Sequence, residues 1–347
     1  MEVDYIIVGC GLAGIAFCEK LRQNNKSFVV FDNSSQHSST VAAGLYNPVI
    51  LKRFTEVWKA QEQLDIALPY YKILESLLSK KLDYKSSIYR RFSSIEEQNE
   101  WFSAADKPAL EPYLSTKIVK NTNVSIDAPF GFGEVLHTGR IDTNVLIDSY
   151  RLFLEDNNRL YKELFKYEDL IIDRQEIKYN TISASHIVFS EGFGILKNPY
   201  FKNLPLSGTK GEILTIKAPD LKLDYILKSS VFLVPLGDDL YSVGATYNWD
   251  DKTNSTTIEA KEELVSKLKK FMTCSFEVVN QVAGIRPTVK DRRPLVGSHN
   301  NYNNVFVLNG LGTRGVMIAP YVAQQLFNHI ERNENLDSEI NISRFLI

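Results

Sequence analysis

Six residues near the start of the chain constrain its fold more than any others. Gly9-Cys-Gly11-Leu-Ala-Gly14 stands between the β-branched run Asp4-Tyr-Ile-Ile-Val8 and a helical pattern that continues to about Asn24. In such a turn the first glycine permits the tight reversal, the second lets backbone approach a pyrophosphate, and the third lets helix and strand pack closely. Phe28-Val-Val-Phe-Asp32 reads as a second strand ending in an acid. Strand, glycine turn, helix and strand form one βαβ unit, whose right-handed crossover makes the two strands parallel. Gly9, Gly11, Leu12, Ala13 and Gly14 are therefore candidate ligands of a dinucleotide's phosphates. Asp32, with Asn33 beside it, stands where a carboxylate binds a ribose hydroxyl pair. An acid there disfavours a 2'-phosphate and leaves FAD or NAD; the competing reading is a glycine turn with a purely structural role.

Further along, apolar residues recur at helical spacing from Phe54 to about Leu78, interrupted by Pro69, which reads as two helices or one kinked one. A helix is expected from Thr143 to Leu154 and a strand from Leu160 to Phe165. His186-Ile-Val-Phe-Ser190 reads as a buried strand returning to the parallel sheet. Residues 208–247 change character: three strand-like runs at hairpin spacing predict an antiparallel sheet in a second domain. A helix over Ile258 to Met272, a long strand from Phe276 to Val289, a strand at Val305 to Leu308 and a last helix to about Arg332 follow. The chain is thus expected to weave between two domains, with 1–83, 141–207 and 284–347 in the first and 84–140 and 208–283 in the second.

A second glycine cluster, Gly310-Leu-Gly312-Thr313-Arg314-Gly315, leads into the final helix at Val316 and offers another helix N-terminus. Two such ends aimed at one ligand suit FAD better than NAD, because a reduced flavin gathers negative charge about N1 and C2=O. Arg286, in Ala283-Gly-Ile-Arg-Pro287, is either an ion-paired residue or an anchor that grips a substrate carboxylate with its planar fork. Lys+Arg of 40 against Asp+Glu of 42 gives a net charge of −2, so no global field draws the protein to nucleic acid or an anionic membrane. The 3 cysteines have no CxxC spacing and the 5 histidines are scattered, so neither a disulfide framework nor a metal site is expected. No signal sequence or membrane span is expected either, and these readings point to a reducing, cytoplasmic setting.

Together these residues resemble the D-amino-acid-oxidase-like family of FAD-dependent amine oxidoreductases, which includes glycine oxidase, sarcosine oxidase and the oxidase half of a bifunctional tRNA wobble-uridine enzyme. The resemblance rests on GCGLAG with Asp32, on Ser38-Ser-Thr-Val-Ala-Ala-Gly-Leu-Tyr-Asn-Pro48, on Val234-Pro235 with Val243-Gly-Ala-Thr246, on Gly284-Ile-Arg-Pro287 with Asp291-Arg-Arg-Pro-Leu-Val-Gly297, and on GLGTRG. The fold it implies is α/β: an FAD-binding Rossmann-like domain with a second α+β substrate domain built on a mixed, largely antiparallel sheet. It implies that Ser39, Thr40, Ala43, Gly44 and Leu45 lie along the flavin, that Ser190 and Gly192 form a third flavin segment, and that Gly310, Gly312, Thr313, Arg314, Gly315 and Val316 approach the ring. Arg286 and Arg314 would face an amino-acid substrate, with Tyr46 and Tyr247 as candidate pocket walls. Val41 stands where relatives with covalent flavin place a histidine, so FAD is expected to bind non-covalently. Ser242 stands where sarcosine-oxidase-like enzymes carry an oxygen-activating lysine, which implies an acceptor other than oxygen.

The activity implied is oxidation of a primary or secondary amine of an amino acid, by hydride transfer from Cα and hydrolysis of the imine. Two alternatives stand beside it. One is removal of a carboxymethyl group from a tRNA wobble uridine, which the near-neutral charge does not favour; the other is a non-catalytic flavin-binding protein. The oligomeric state is not readable from the sequence.

Overall fold

The computed structural model describes residues 1–173 and 176–345. Its first strand, Glu2–Val8, turns through Gly9–Gly11 into the helix Leu12–Gln23 and then the strand Phe28–Phe31. The two strands pair in parallel, with Tyr5 beside Phe28 and Val8 beside Phe31. Ile182–Phe189 pairs with Glu2–Val8 on its other side, and Tyr302–Asn309 pairs with the end of Ile182–Phe189, both in parallel. All four residues of Phe28–Phe31 are buried, the pattern of a strand covered on both faces rather than of one half exposed to water. Antiparallel strands at 170–172, 177–179 and 295–299 and a short parallel one at 160–161 bring this sheet to eight.

The second eight-stranded sheet runs, edge to edge, through Glu277–Val289, Leu206–Lys217, Leu240–Gly244, Phe232–Gly237, Ile226–Lys228, Ile88–Arg91, Phe132–Val135 and Leu114–Val119. Every neighbouring pair is antiparallel except Ile226–Lys228 beside Ile88–Arg91. Side chains alternate across a strand. Leu214, Leu227, Leu233 and Val243 therefore pack behind the sheet with Leu264 and Leu268 of the helix Ile258–Lys269. Ile213, Lys228, Phe232, Val234 and Ser242 face the other way, toward the first sheet.

Of the two readings around Pro69, the chain takes the single helix: Ala60–Leu78 carries the proline inside. Leu64, Ala67, Tyr71 and Leu74 of this helix are buried in the main core, and that burial offsets the backbone hydrogen bond the proline cannot make. The strand expected to reach Phe165 ends at Tyr161; Phe165 instead stacks on Tyr179 with ring centroids 4.2 Å apart. The helix expected to reach Met272 ends at Lys269. The boundary drawn at 283/284 falls inside Glu277–Val289, which pairs along its whole length with Leu206–Lys217, so Gly284 to Val289 belong with the second sheet.

The helix Leu12–Gln23 lies so close to the preceding turn that a Cβ at Gly14 would stand 2.0 Å from the Gly9 carbonyl oxygen. Glycine to alanine inside a helix ordinarily stabilises by about 1 kcal/mol. Gly14→Ala is expected to reverse that sign and destabilise by about 1–3 kcal/mol, the usual cost of overpacking, in urea unfolding beside the wild type.

Candidate active site

Residues of both sheets line one cavity of about 600 Å³. The turn from Gly9 to Ala13 closes one end. Gly9 takes φ +104°, in the left-handed region open to glycine, and Gly11 is the N-cap of Leu12–Gln23 without giving it a side-chain hydrogen bond. The final helix, Gly315–Arg332, likewise begins without a side-chain cap, and Gly312 to Val316 line the same cavity. Two helix N-termini thus converge on one space, the first with its Leu12 N–H donated to Ser39 Oγ at 3.3 Å, and their dipoles make a field suited to a ligand carrying phosphates and a charge-accepting ring. The glycine turn before the final helix is held on both sides: Gly312 N–H donates to the Pro287 carbonyl at 3.0 Å, and Asn309 Nδ2 donates to the Gly192 carbonyl at 2.9 Å.

Asp32 lines this end and is gripped by Arg151, from the helix Thr143–Asp156. Among the described residues, Arg151 Nε and Ser190 Oγ are buried without hydrogen-bond partners, and both residues line the cavity, so each offers a polar atom to a ligand there. The residues present fit FAD: glycine-turn amides for the pyrophosphate, Asp32 for a ribose, and the second helix end for the ring. The lining includes one thiol and no histidine. That thiol, Cys10, is fully buried and its pKa is pushed up to about 12 by burial and by Asp32, so it stays protonated and unreactive.

The opposite end belongs to the second sheet. The Arg286 guanidinium occupies the space over Gly211, where a Cβ would stand 1.9 Å from Nη2. Nη1 donates to the Thr246 carbonyl at 3.3 Å, and the Tyr247 ring covers the group at 4.6 Å. Neither Arg286 nor Arg314 has a carboxylate partner among the described residues, and burial lowers the pKa of both.

Of the site residues expected from sequence, Gly9, Gly11, Leu12, Ala13, Asp32, Ser39, Ala43, Gly44, Leu45, Ser190 and Gly192 line the cavity, as do Gly312, Thr313, Arg314, Gly315, Val316, Tyr247 and Arg286. Five do not. Tyr46 is buried in the core and its hydroxyl donates to Asp83 at 2.8 Å, so it is a packed residue rather than a pocket wall. Thr40 lines a separate groove, with its hydroxyl donating to the His37 carbonyl. Asn33 is exposed in an outer groove beside Asp148. Gly14 and Gly310 sit behind the lining, Gly14 against Gly9 and Gly310 against Val289 and Leu295. Arg151, Lys228 and Phe232 also line the cavity and carried no sequence signal.

Comparison with known proteins agrees with this geometry. The family described as DAO, FAD dependent oxidoreductase, matches residues 4–328. Glycine oxidase of Bacillus subtilis (strain 168) is 20% identical over 344 residues, covering 91% of this chain and 90% of the relative. The tRNA 5-methylaminomethyl-2-thiouridine biosynthesis bifunctional protein MnmC of Pseudoalteromonas atlantica is 27% identical over 183 residues, but that match covers 42% of this chain and 26% of the relative. Among solved structures, glycine oxidase from Geobacillus kaustophilus superposes with a TM-score of 0.81 at 17% identity, covering 99% of both chains, a likeness of fold.

Glu191 also faces this cavity, accepting hydrogen bonds from Tyr167 Oη and from Asn198 Nδ2. Burial pushes its carboxyl up to about 7 against the lowering effect of both bonds. Between the ordinary carboxyl range and pH 7 the folded state therefore holds a proton that the unfolded chain releases, and Glu191 costs stability as pH rises through that window. Glu191→Gln is expected to gain on the wild type by an amount on the order of 2 kcal/mol between pH 5 and pH 8 in paired urea unfolding curves. A difference that does not change with pH would contradict this.

Proposed function

The chain belongs to the DAO family of FAD dependent oxidoreductases, and we propose that it oxidises the amine of an amino acid. The α-carbon of the neutral amine gives up a hydride and leaves an iminium, water adds to that carbon, and the C–N bond breaks to give a keto or aldehyde acid and a free amine, with one proton released to solvent. When bound, FAD supplies the two-electron acceptor for that hydride. The observation that carries the reading is Arg286: an enclosed guanidinium with no carboxylate partner among the described residues, in the wall of the cavity toward which both helix N-termini point.

The chain's own residues do the rest by position. Arg286 offers two parallel N–H donors, the fork that matches a carboxylate. Gly211 leaves room for the guanidinium, and the Thr246 carbonyl and the Tyr247 ring fix its plane. Tyr247 is 62% exposed, so it stands at the mouth as a cover. Val234 and Ile213 keep the neighbouring wall apolar, which strengthens the charged contact by excluding water. A substrate gripped by its carboxylate has its α-carbon fixed relative to the wall, and such orientation accounts for much of the rate of a reaction needing little acid or base help. The cofactor would be held by the Gly11 to Ala13 amides, Asp32 and the amides before Val316, without a covalent bond.

Truncating one partner of a buried charged pair typically costs about 2–5 kcal/mol. Arg286→Ala is therefore expected to keep its flavin while KM rises by at least about 30-fold, with Arg286→Lys recovering part of the loss because an ammonium lacks the fork. Flavin occupancy and KM measured on the same preparation decide the matter. Lost flavin with an unchanged KM in the surviving holoenzyme would make Arg286 a scaffold residue.

A further inference from the structure

We propose that Lys228 forms a second anion subsite in the same cavity, so that the substrate is an amino acid carrying a further acidic group on its side chain or nitrogen. The substrate class rests on the amine-oxidation reading above; the subsite itself does not. Lys228 ends the strand Ile226–Lys228 and pairs in register with Phe232, and both line the cavity. The ammonium lies 4.6 Å from the centre of the Phe232 ring and, among the described residues, makes neither an ion pair nor a hydrogen bond.

Its charged surroundings are cationic. Arg90, its neighbour in the next strand, is paired with Glu97, and Lys267 of the helix behind the sheet is paired with Glu263. Burial together with these two cations holds the Lys228 pKa down to about 8, the sign of a positive charge placed where no counter-charge answers it. The two acids lining the cavity are engaged elsewhere, Asp32 with Arg151 and Glu191 with Tyr167 and Asn198. A half-buried lysine without a counter-charge is costly where an apolar residue would pack freely, the face of the Phe232 ring offsets only part of that cost, and an incoming anion removes it.

Arg286 and Lys228 cannot share one carboxylate. Three strands of the sheet separate theirs, and the pairing Lys228–Phe232–Gly244–Ile213–Val282 leaves Arg286 four residues further along its strand, so the two backbones lie about 23 Å apart. Both line the cavity and lean toward each other, Arg286 over Gly211 and Lys228 over Phe232, so a ligand that meets both cations carries two anionic groups on a spacer of a few carbons. Lys52 adds a further cation at the exposed rim.

The test uses unreactive acids of equal length on the oxidised holoenzyme: glutarate against valerate and adipate against hexanoate, with affinities read from the perturbation of the flavin spectrum. Each diacid is expected to bind at least about tenfold more tightly than its monoacid. Lys228→Met should abolish that gap and Lys228→Arg should preserve it, with flavin content confirming that both variants fold. Equal affinities in the wild type, or a gap that survives Lys228→Met, would overturn the proposal. Anaerobic mixing with glycine and with glutamate tests the amine-oxidation reading separately. Flavin that neither amino acid reduces would count against that reading and leave the binding result standing.

Discussion

The absence of a side chain at position 14 lets the helix Leu12–Gln23 lie against the carbonyl of Gly9, and the rest of the site is placed by that contact. It brings the N-terminus of the helix to the cavity, beside the C-terminal ends of parallel strands that deliver Asp32 and Ser190. Ligands in open α/β sheets bind at such strand ends, because that is where helix amides and loop backbone are left without internal partners. The second helix N-terminus reaches the same space through the turn whose Gly312 N–H is bonded to Pro287, next to Arg286 in sequence. One hydrogen bond therefore ties the turn before the final helix to the strand that carries Arg286.

Charge is distributed unevenly along the cavity. Its two lining acids lie near the first glycine turn and are both engaged, whereas Arg286 and Lys228, on the second sheet, have no counter-ion among the described residues. In an enclosed space of low effective dielectric, such an arrangement favours anionic guests far more than the same charges would on a surface. A chain with a net charge of −2 can thus have a strongly cationic site, and the composition that disfavours nucleic acid as a partner says nothing about this interior.

How far the sequence could be read follows the range of each determinant. The βαβ opening is local, within about thirty residues, and glycine spacing with an acid after the second strand is enough to place it. Gly211, whose missing side chain makes room for Arg286, and Lys228 are set by the register of strands far apart in the chain, and one sequence carries no sign of that register. Arg151 is similar: on its helix it resembles any exposed arginine until the fold brings it to Asp32. Tyr46 shows the opposite error. It sits in a flavin-like segment, yet Leu45 and Asn47 on either side line the cavity while Tyr46 points into the core, because adjacent residues of an extended segment face opposite ways.

The central claim is that the cavity holds FAD and presents to it an amino acid anchored by its carboxylate. Anaerobic mixing of the purified yellow protein with a panel of amino acids, while following the oxidised-flavin band, tests it most directly. The account predicts that at least one α-amino acid bleaches that band and that the amine of the same carbon skeleton without its carboxylate does not. Flavin that dithionite reduces but no amino acid does, or bleaching that proceeds equally well without the carboxylate, would contradict it.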